Sequence, residues 1–598
     1  MLKYILRFIA VFVVYVLAGV IGKLVFLSFY GTGAVAAGDW VDVIWHGLAM
    51  DCTVAGYLSA VPALLMIASV WLPGSKLLKG VYTAYSALTA VIYAIVSVAN
   101  VCLYAHWGFP LDMTPVFYLT SSPTAAAASA TPGEAICCIL GFAVFASVIF
   151  LCLCRIWRHI HVDVSSCRVA ATVLGTVLAA ALFIPIRGGF TVSTMNPGRA
   201  YYSQRALLNH AAVNPAFSLL YSATHQASFG KQFRYFDNER AGEIFGSMTT
   251  AGTAITDTLV EGRPDIYLVI AESFSSHLMP SQGGEAIAVC LDSMARDGVL
   301  FDNFYASSFR TDRALPAILG AIPGQPTTSL MKYADKTEGL PSLPRALKDA
   351  GYSIKYYYGG DVNFTNMKSY LVNCGFNDIV CDKDFALADR TGKWGAHDHL
   401  LFRRVLDDAR TDTSDSPHFR VIQTSSSHEP FEVPYAGRHS DPAANAFAYT
   451  DSCIGDFARN VADLPRRSLI IIVPDHYGCY PTGLDSEEQR HHVPMVFSGN
   501  ALTRHGVRID RFGSQPDLAA TLLGQLGIDA SDFAFSRDML SDISSPFAFY
   551  SSPNAISLSD STATATVDIV SGQITGDSVN ADKAKAYLQK LYDYLDSL

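Results

Sequence analysis

The chain has 598 residues, of which 50% are hydrophobic and only 16% charged, and its formal net charge is −10. A prior of roughly one domain per 150 residues implies several units, and a mean hydropathy of +0.25 is too apolar for a purely soluble enzyme. The acidic balance and the lack of a basic patch argue against a nucleic-acid partner.

The apolar excess lies in the first third. Five stretches, near Phe8 to Phe29, Cys52 to Leu72, Val81 to Tyr104, Ala135 to Cys154 and Val169 to Ile186, are long enough to cross a bilayer, which takes about 20 apolar residues. Lys3 and Arg7 precede the first, Lys76 and Lys79 lie between the second and third, and Arg155, Arg158 and Arg168 lie between the fourth and fifth. Alternate loops are thus basic, so the positive-inside rule puts the N-terminus inside and everything after Ile186 outside. Asp51, at the mouth of the second stretch, is either a functional flag or an interfacial carboxylate in contact with water. Residues 191–262 follow as an interfacial helical linker, whose Tyr, Leu and Phe mixed with polar residues suit helices lying against the headgroups.

From residue 263 to 540, strand-like runs alternate with helical ones. The strands are Ile266 to Ala271, Val299 to Tyr305, Ser353 to Tyr358, Phe419 to Thr424, Leu469 to Val473 and Pro494 to Phe497; helical stretches include Leu340 to Ala350 and Ala448 to Leu464. This alternation predicts an α/β domain with a mostly parallel central sheet and helices on both faces. Beyond it, residues 541–598 predict a hairpin over Val567 to Ile574 and an amphipathic helix over Ala581 to Leu598.

Polar residues recur where these strands end. Glu272 follows the first strand, Thr311 the second, His428 another, and Asp475 with His476 the apolar run ending at Val473. In open α/β sheets ligands bind at that edge, and an adjacent carboxylate and imidazole form half of a divalent-metal site. By composition alone, Ser307, Ser308 and Thr311 are all candidate nucleophiles. Arg310 and Arg313 are candidates to grip a phosphate. His428 suits a headgroup contact or a proton transfer, and His492, like its neighbour His491, a position behind the metal ligands.

In this order, Glu272-Ser273-Phe274, Thr311 after an aromatic strand, His428-Glu429-Pro430-Phe431 and Asp475-His476-Tyr477-Gly478 resemble the lipoteichoic-acid-synthase-like (phosphoglycerol transferase) branch of the sulfatase and alkaline-phosphatase superfamily. The resemblance implies five membrane spans and an extracytoplasmic catalytic domain in a bacterial cytoplasmic membrane. It implies Thr311 as nucleophile, and one divalent ion, Mn²⁺ before Mg²⁺ or Zn²⁺, held by Glu272, Thr311, Asp475 and His476. It also implies a phospholipid donor such as phosphatidylglycerol and an envelope glycan or glycolipid acceptor.

The sequence departs from that branch where the headgroup binds. The related enzymes carry His-Gly and then Phe-Trp-Asn-Arg; here Tyr358 stands at the His place, and Thr365 and Met367 at the Trp and Arg places. Gly359, Phe364 and Asn366 match. Asp361, Asn363 and Trp394 are then the candidates for other headgroup contacts. Phosphoethanolamine transfer, sulfatase-like hydrolysis and a non-catalytic envelope-binding module are the alternative functions. Of the 12 cysteines, those near the membrane read as small apolar residues, and Cys374 with Cys381 is the expected local bridge.

Overall fold

The computed structural model describes all residues except 32–34, 108, 114–131, 160–166, 225–228, 250–257, 436 and 543–545. Two compact units are present: Met1–Gln226 with Asn363–Ser369, and Ala227–Val362 with Tyr370–Leu598.

The first unit contains five helices long and apolar enough to cross a membrane, Leu2–Tyr30, Ala37–Trp71, Lys76–Ala105, Ile136–Arg158 and Arg168–Arg187. Asp51 differs from the water-contacting reading. It is fully buried and ion-paired with Lys23 of the first helix, while Asn214 Nδ2 donates to its Oδ1 at 2.8 Å. A charge this deep among apolar helices is held only with a partner. The cysteine expectation also changes. A disulfide joins Cys102 to Cys138, whereas Cys374 and Cys381 are free; Cys374 is sealed in the core and Cys381 opens a separate turn at Asp382–Asp384.

The second unit is built on an eight-stranded sheet. Its strands are β1 (Asp265–Ala271), β2 (Val299–Phe301), β4 (Ser353–Tyr358), β5 (Ile379–Val380), β6 (His418–Gln423), β7 (Ser468–Pro474), β8 (Met495–Ser498) and β9 (Val507–Ile509). The order is β5-β4-β6-β1-β7-β8-β2-β9, and all neighbours are parallel except β8, which runs antiparallel to β7 and β2. Every residue of β1, β6 and β7 is buried, as expected for central parallel strands covered on both faces. Tyr267, Phe457 and Phe402 of the core below them stack in sequence.

The run from Val299 to Tyr305, read as one strand, is two. Asp302 and Asn303 turn the chain, so Phe304–Tyr305 forms β3, which leaves the main sheet and pairs with β10 (Gly513–Ser514). At the C-terminal end the expected hairpin is half of a four-stranded antiparallel sheet, β11 (Phe547–Ser552), β12 (Ala555–Asp560), β13 (Thr564–Asp568) and β14 (Ile574–Gly576). The last helix, Ser578–Ser597, starts at Asp577, whose carboxylate accepts from Asn580 N.

Behind β10, Asp517 and Arg537 form a buried bidentate pair, with Nε–Oδ1 at 3.0 Å and Nη2–Oδ2 at 2.7 Å. The guanidinium also lies 3.6 Å over the Phe547 ring, so the pair ties the sheet domain to β11. Removing one partner strands the other charge in the core. Asp517→Ala is expected to destabilise the second unit by about 3–5 kcal/mol, measurable as a drop in the denaturation midpoint of the full chain in detergent.

Candidate active site

The pairing of β1 with β7 sets the site. Their register puts Ala271 beside Pro474, so the next residues, Glu272 and Asp475, leave the sheet side by side at its carboxyl edge. Glu272 is fixed through its backbone: its N–H donates to Thr424 Oγ1 at 2.9 Å, and its carbonyl accepts from Ser427 Oγ at 2.7 Å. Both partner residues follow β6, the strand on the other flank of β1.

Glu272, Asp475 and His476 bring one ligand atom each to within 4.8 Å of one another. Thr311 joins them: its Oγ1 donates to Asp475 Oδ2 at 2.7 Å and lies 3.4 Å from His476 Nε2. His476 Nδ1 is 2.8 Å from the Tyr477 carbonyl, which must accept from it, so the proton sits on Nδ1 and the Nε2 lone pair faces the carboxylates. Thr311 is the first residue of the helix Thr311–Gly320, six residues beyond the end of β3 at Tyr305.

The donor set fits a divalent cation. Glu272 and Asp475 are almost completely buried, and among the described residues neither has a Lys or Arg within ion-pair distance. Burial, and then the Asp475 carboxylate, push the Glu272 carboxyl well above the ordinary glutamate range. Two like charges in one dry place stay ionised together only when a positive charge lies between them, and two carboxylate oxygens, an imidazole nitrogen and a hydroxyl are a set that such an ion accepts.

The other candidates separate. His428, beyond the end of β6, packs its ring 4.4 Å from Trp394; burial lowers its pKa, leaving a neutral imidazole at neutral pH. Trp394 Nε1 donates to the Glu429 carbonyl, and Lys393 Nζ is 5.9 Å from its ring. Tyr358 closes β4, and its hydroxyl is raised by burial and by the charges of Glu272, Asp361 and Asp475, so it stays a neutral donor. Arg310 is largely exposed beside Asp312.

Three expectations change. Arg313 does not offer its guanidinium to a phosphate: Nε donates to the Gln325 carbonyl at 2.7 Å, Nη1 reaches Asp312, and the group lies 4.6 Å over the Phe309 ring. His492 does not stand behind the metal ligands; its Nε2 lies 2.7 Å from the Asp302 carbonyl and its ring packs near Tyr305. Asn363 belongs with the first unit, where its carbonyl accepts from Asn196 Nδ2.

Ser273 was not singled out, yet it holds two ligands at once. Its backbone is left-handed at φ 63°, which lets its N–H donate to Asp475 Oδ1 at 2.8 Å and its Oγ to Glu272 Oε1 at 2.7 Å. Gly478 packs against it: a Cβ there would lie 2.7 Å from Ser273 Cβ. The glycine that ends Asp-His-Tyr-Gly is thus the readable trace of Ser273's role.

Two outcomes are expected. Ser273→Ala keeps the backbone donor and loses the hydroxyl, so Mn²⁺ affinity, read by titration, should fall about 10–100-fold. For Glu272, whose folded pKa is raised, the stability it contributes is complete below the ordinary glutamate range and is lost as pH rises through the raised value. Chelator-treated protein should therefore melt lower at pH 8 than at pH 5, with Glu272→Gln flattening that slope, and Mn²⁺ at 100 times its Kd should restore about 2.7 kcal/mol.

Residues 264–528 match the sulfatase family. Lipoteichoic acid synthase 2 of Bacillus subtilis (strain 168) is 22% identical over 313 residues, 47% of this chain and 48% of the relative; the chain thus spans about half the length of that curated relative. A solved protein of the alkaline phosphatase superfamily from Vibrio parahaemolyticus superposes with a TM-score of 0.54 at 23% identity, covering 61% of this chain and 98% of the other. The lipoteichoic acid synthase LtaP from Listeria monocytogenes gives 0.49 at 18% identity, covering 60% and 97%. The stretch that matches the sulfatase family thus contains the sheet that carries Glu272, Thr311, Asp475 and His476, and its fold is similar to that of a solved alkaline phosphatase superfamily protein.

Proposed function

We propose that the chain is a membrane-anchored, metal-dependent transferase that moves a phospholipid headgroup phosphate through phospho-Thr311 to an envelope glycan or glycolipid. The observation that carries this reading is the Thr311 hydroxyl directed at Asp475 Oδ2 at 2.7 Å inside a buried carboxylate–imidazole cluster. Glu272, Asp475, His476 and Thr311 would hold the ion, which supplies positive charge that acidifies a bound alcohol and offsets charge on phosphoryl oxygens.

Thr311 Oγ1 attacks the donor phosphorus as its proton leaves toward Asp475 Oδ2. The Oγ–P bond forms while the bond from phosphorus to the diacylglycerol oxygen breaks, and diacylglycerol departs as the alcohol, the proton released by Thr311 ending on its oxygen. In the second half an acceptor hydroxyl attacks the same phosphorus, the Oγ–P bond breaks, and Thr311 is regenerated. His428, neutral and beside the Trp394 ring, is suited to take the acceptor's proton. The basic loops at Lys3 and Arg7, Lys76 and Lys79, and Arg155 to Arg168 support a cytoplasmic N-terminus and an extracytoplasmic catalytic domain in a bacterial inner membrane.

Phosphoglycerol is the headgroup that the family resemblance of the sequence implies. Phosphoethanolamine is the second reading, favoured by Tyr358 in place of a His and by the Asp361 charge close to it, an acidic setting that suits an ammonium. The full chain in detergent, incubated with phosphatidylglycerol or phosphatidylethanolamine and Mn²⁺, should yield a Thr311 adduct whose mass names the headgroup. Thr311→Ala should abolish the adduct and slow headgroup release by at least about 10³-fold; unchanged release in that variant sinks the mechanism.

A further inference from the structure

The nucleophile and the metal ligands reach the site from different sheets. Asp475 and His476 extend β7, in the main sheet, whereas Thr311 follows β3, which pairs with β10 and is bridged at Tyr305 to His492, just before β8. Backbone bonds from Ala306 N–H to the His491 carbonyl and from Val493 N–H to the Phe304 carbonyl tie β3 to the approach of β8, but among the described residues no backbone ladder joins β3 directly to the end of β7 that carries Asp475.

Gln515 fills that gap. It directly follows β10, is fully buried, and spends every polar atom of its amide across the break. Oε1 accepts from Ser307 N–H at 2.9 Å. Nε2 donates to the Pro474 carbonyl and to the Asp475 carbonyl, both at 2.7 Å. Its own backbone N–H donates to the Tyr305 carbonyl at 3.1 Å. An amide is the side chain for this place, because it is donor and acceptor at once. The far side of Ser307 is held as well: its Oγ accepts from Gly324 N–H at 2.7 Å.

We infer that Gln515 is a positioning residue that sets the spacing between Thr311 and the metal-ligand strand end. It closes a ring running from Asp475 through Gln515, Ser307 and the intervening loop to Thr311, and back to Asp475 through the hydroxyl contact. Its amide acts through the backbone of three residues, Ser307, Pro474 and Asp475. The inference rests on the reading of Asp475 as a metal ligand and Thr311 as nucleophile.

Hydrogen exchange read by mass spectrometry on the full chain tests it without turnover. In Thr311→Ala the direct link between the two strand ends is gone, and Mn²⁺ should still slow exchange in the peptide that contains the Ser307 amide. Adding Gln515→Met, close in volume but unable to pair, or Gln515→Glu, which cannot donate to the two carbonyls when ionised, should remove that slowing. With Thr311 intact, either Gln515 variant should weaken Mn²⁺ binding about tenfold and lower kcat with KM for the lipid unchanged. If Mn²⁺ binds Thr311→Ala and leaves the Ser307 peptide unaffected, the brace is refuted, whether or not the Gln515 variants fold. Folded variants with unchanged Mn²⁺ affinity and kcat refute it equally. If wild-type protein binds no Mn²⁺, the metal reading itself fails, and the inference with it.

Discussion

Two carboxylates buried side by side are the constraint from which the site follows. The β1–β7 register leaves no choice about where Glu272 and Asp475 emerge, and the core beneath them is dry. Such a pair repels itself and loses its hydration, so the surroundings are arranged to tolerate it. Ser273 adopts a left-handed backbone to hold both groups with hydrogen bonds, Gly478 gives up its side chain to let Ser273 in, and His476 turns its lone pair inward. The same unfavourable charge that costs the metal-free fold stability is what makes the place attractive to a cation.

Around that pair the molecule separates chemistry from recognition. The ligand cluster is built by the ends of central strands, whose positions are dictated by backbone ladders on both sides. The groups that would meet a headgroup, Tyr358, Asp361, Trp394 and His428, stand on the end of β4 and on loops, where side-chain identity is freer to change. That division is in keeping with the sequence, in which Glu272, Thr311, Asp475 and His476 carry the resemblance while Tyr358, Thr365 and Met367 stand where it implies His, Trp and Arg.

Much of this was legible in the sequence because parallel strands buried on both faces write a continuous apolar run. Ile266 to Ala271 and Leu469 to Val473 announce β1 and β7, and the polar residue that ends each run is then a site candidate. What was not legible depends on partners far along the chain. Nothing local says that Asp302 and Asn303 break an apolar run into strands of two different sheets, or that Arg313 would find the Gln325 carbonyl before it found a phosphate. Gln515 carries no periodic or motif signal at all; its meaning exists only once β3 and β7 are brought together. The buried pairing of Asp51 with Lys23 was hidden for the same reason, since the two sit on separate helices.

The last helix has a consequence for how the protein is made. Gln589 accepts from the N–H groups of Tyr235 and Phe236, and Asp596 from that of Gly230, a contact that spans 366 residues. These contacts of the second unit's opening segment therefore form only after the helix Ser578–Ser597 has been synthesised, whereas its contacts with Tyr333 and Thr327 can form earlier. At roughly 5–20 residues per second, that wait is on the order of 20–70 seconds. During part of it β1 also lacks its strand neighbours, which arrive as residues near 420 and 470 emerge. The second unit thus completes its packing late, after the strand partners of β1 and the helix Ser578–Ser597 have emerged.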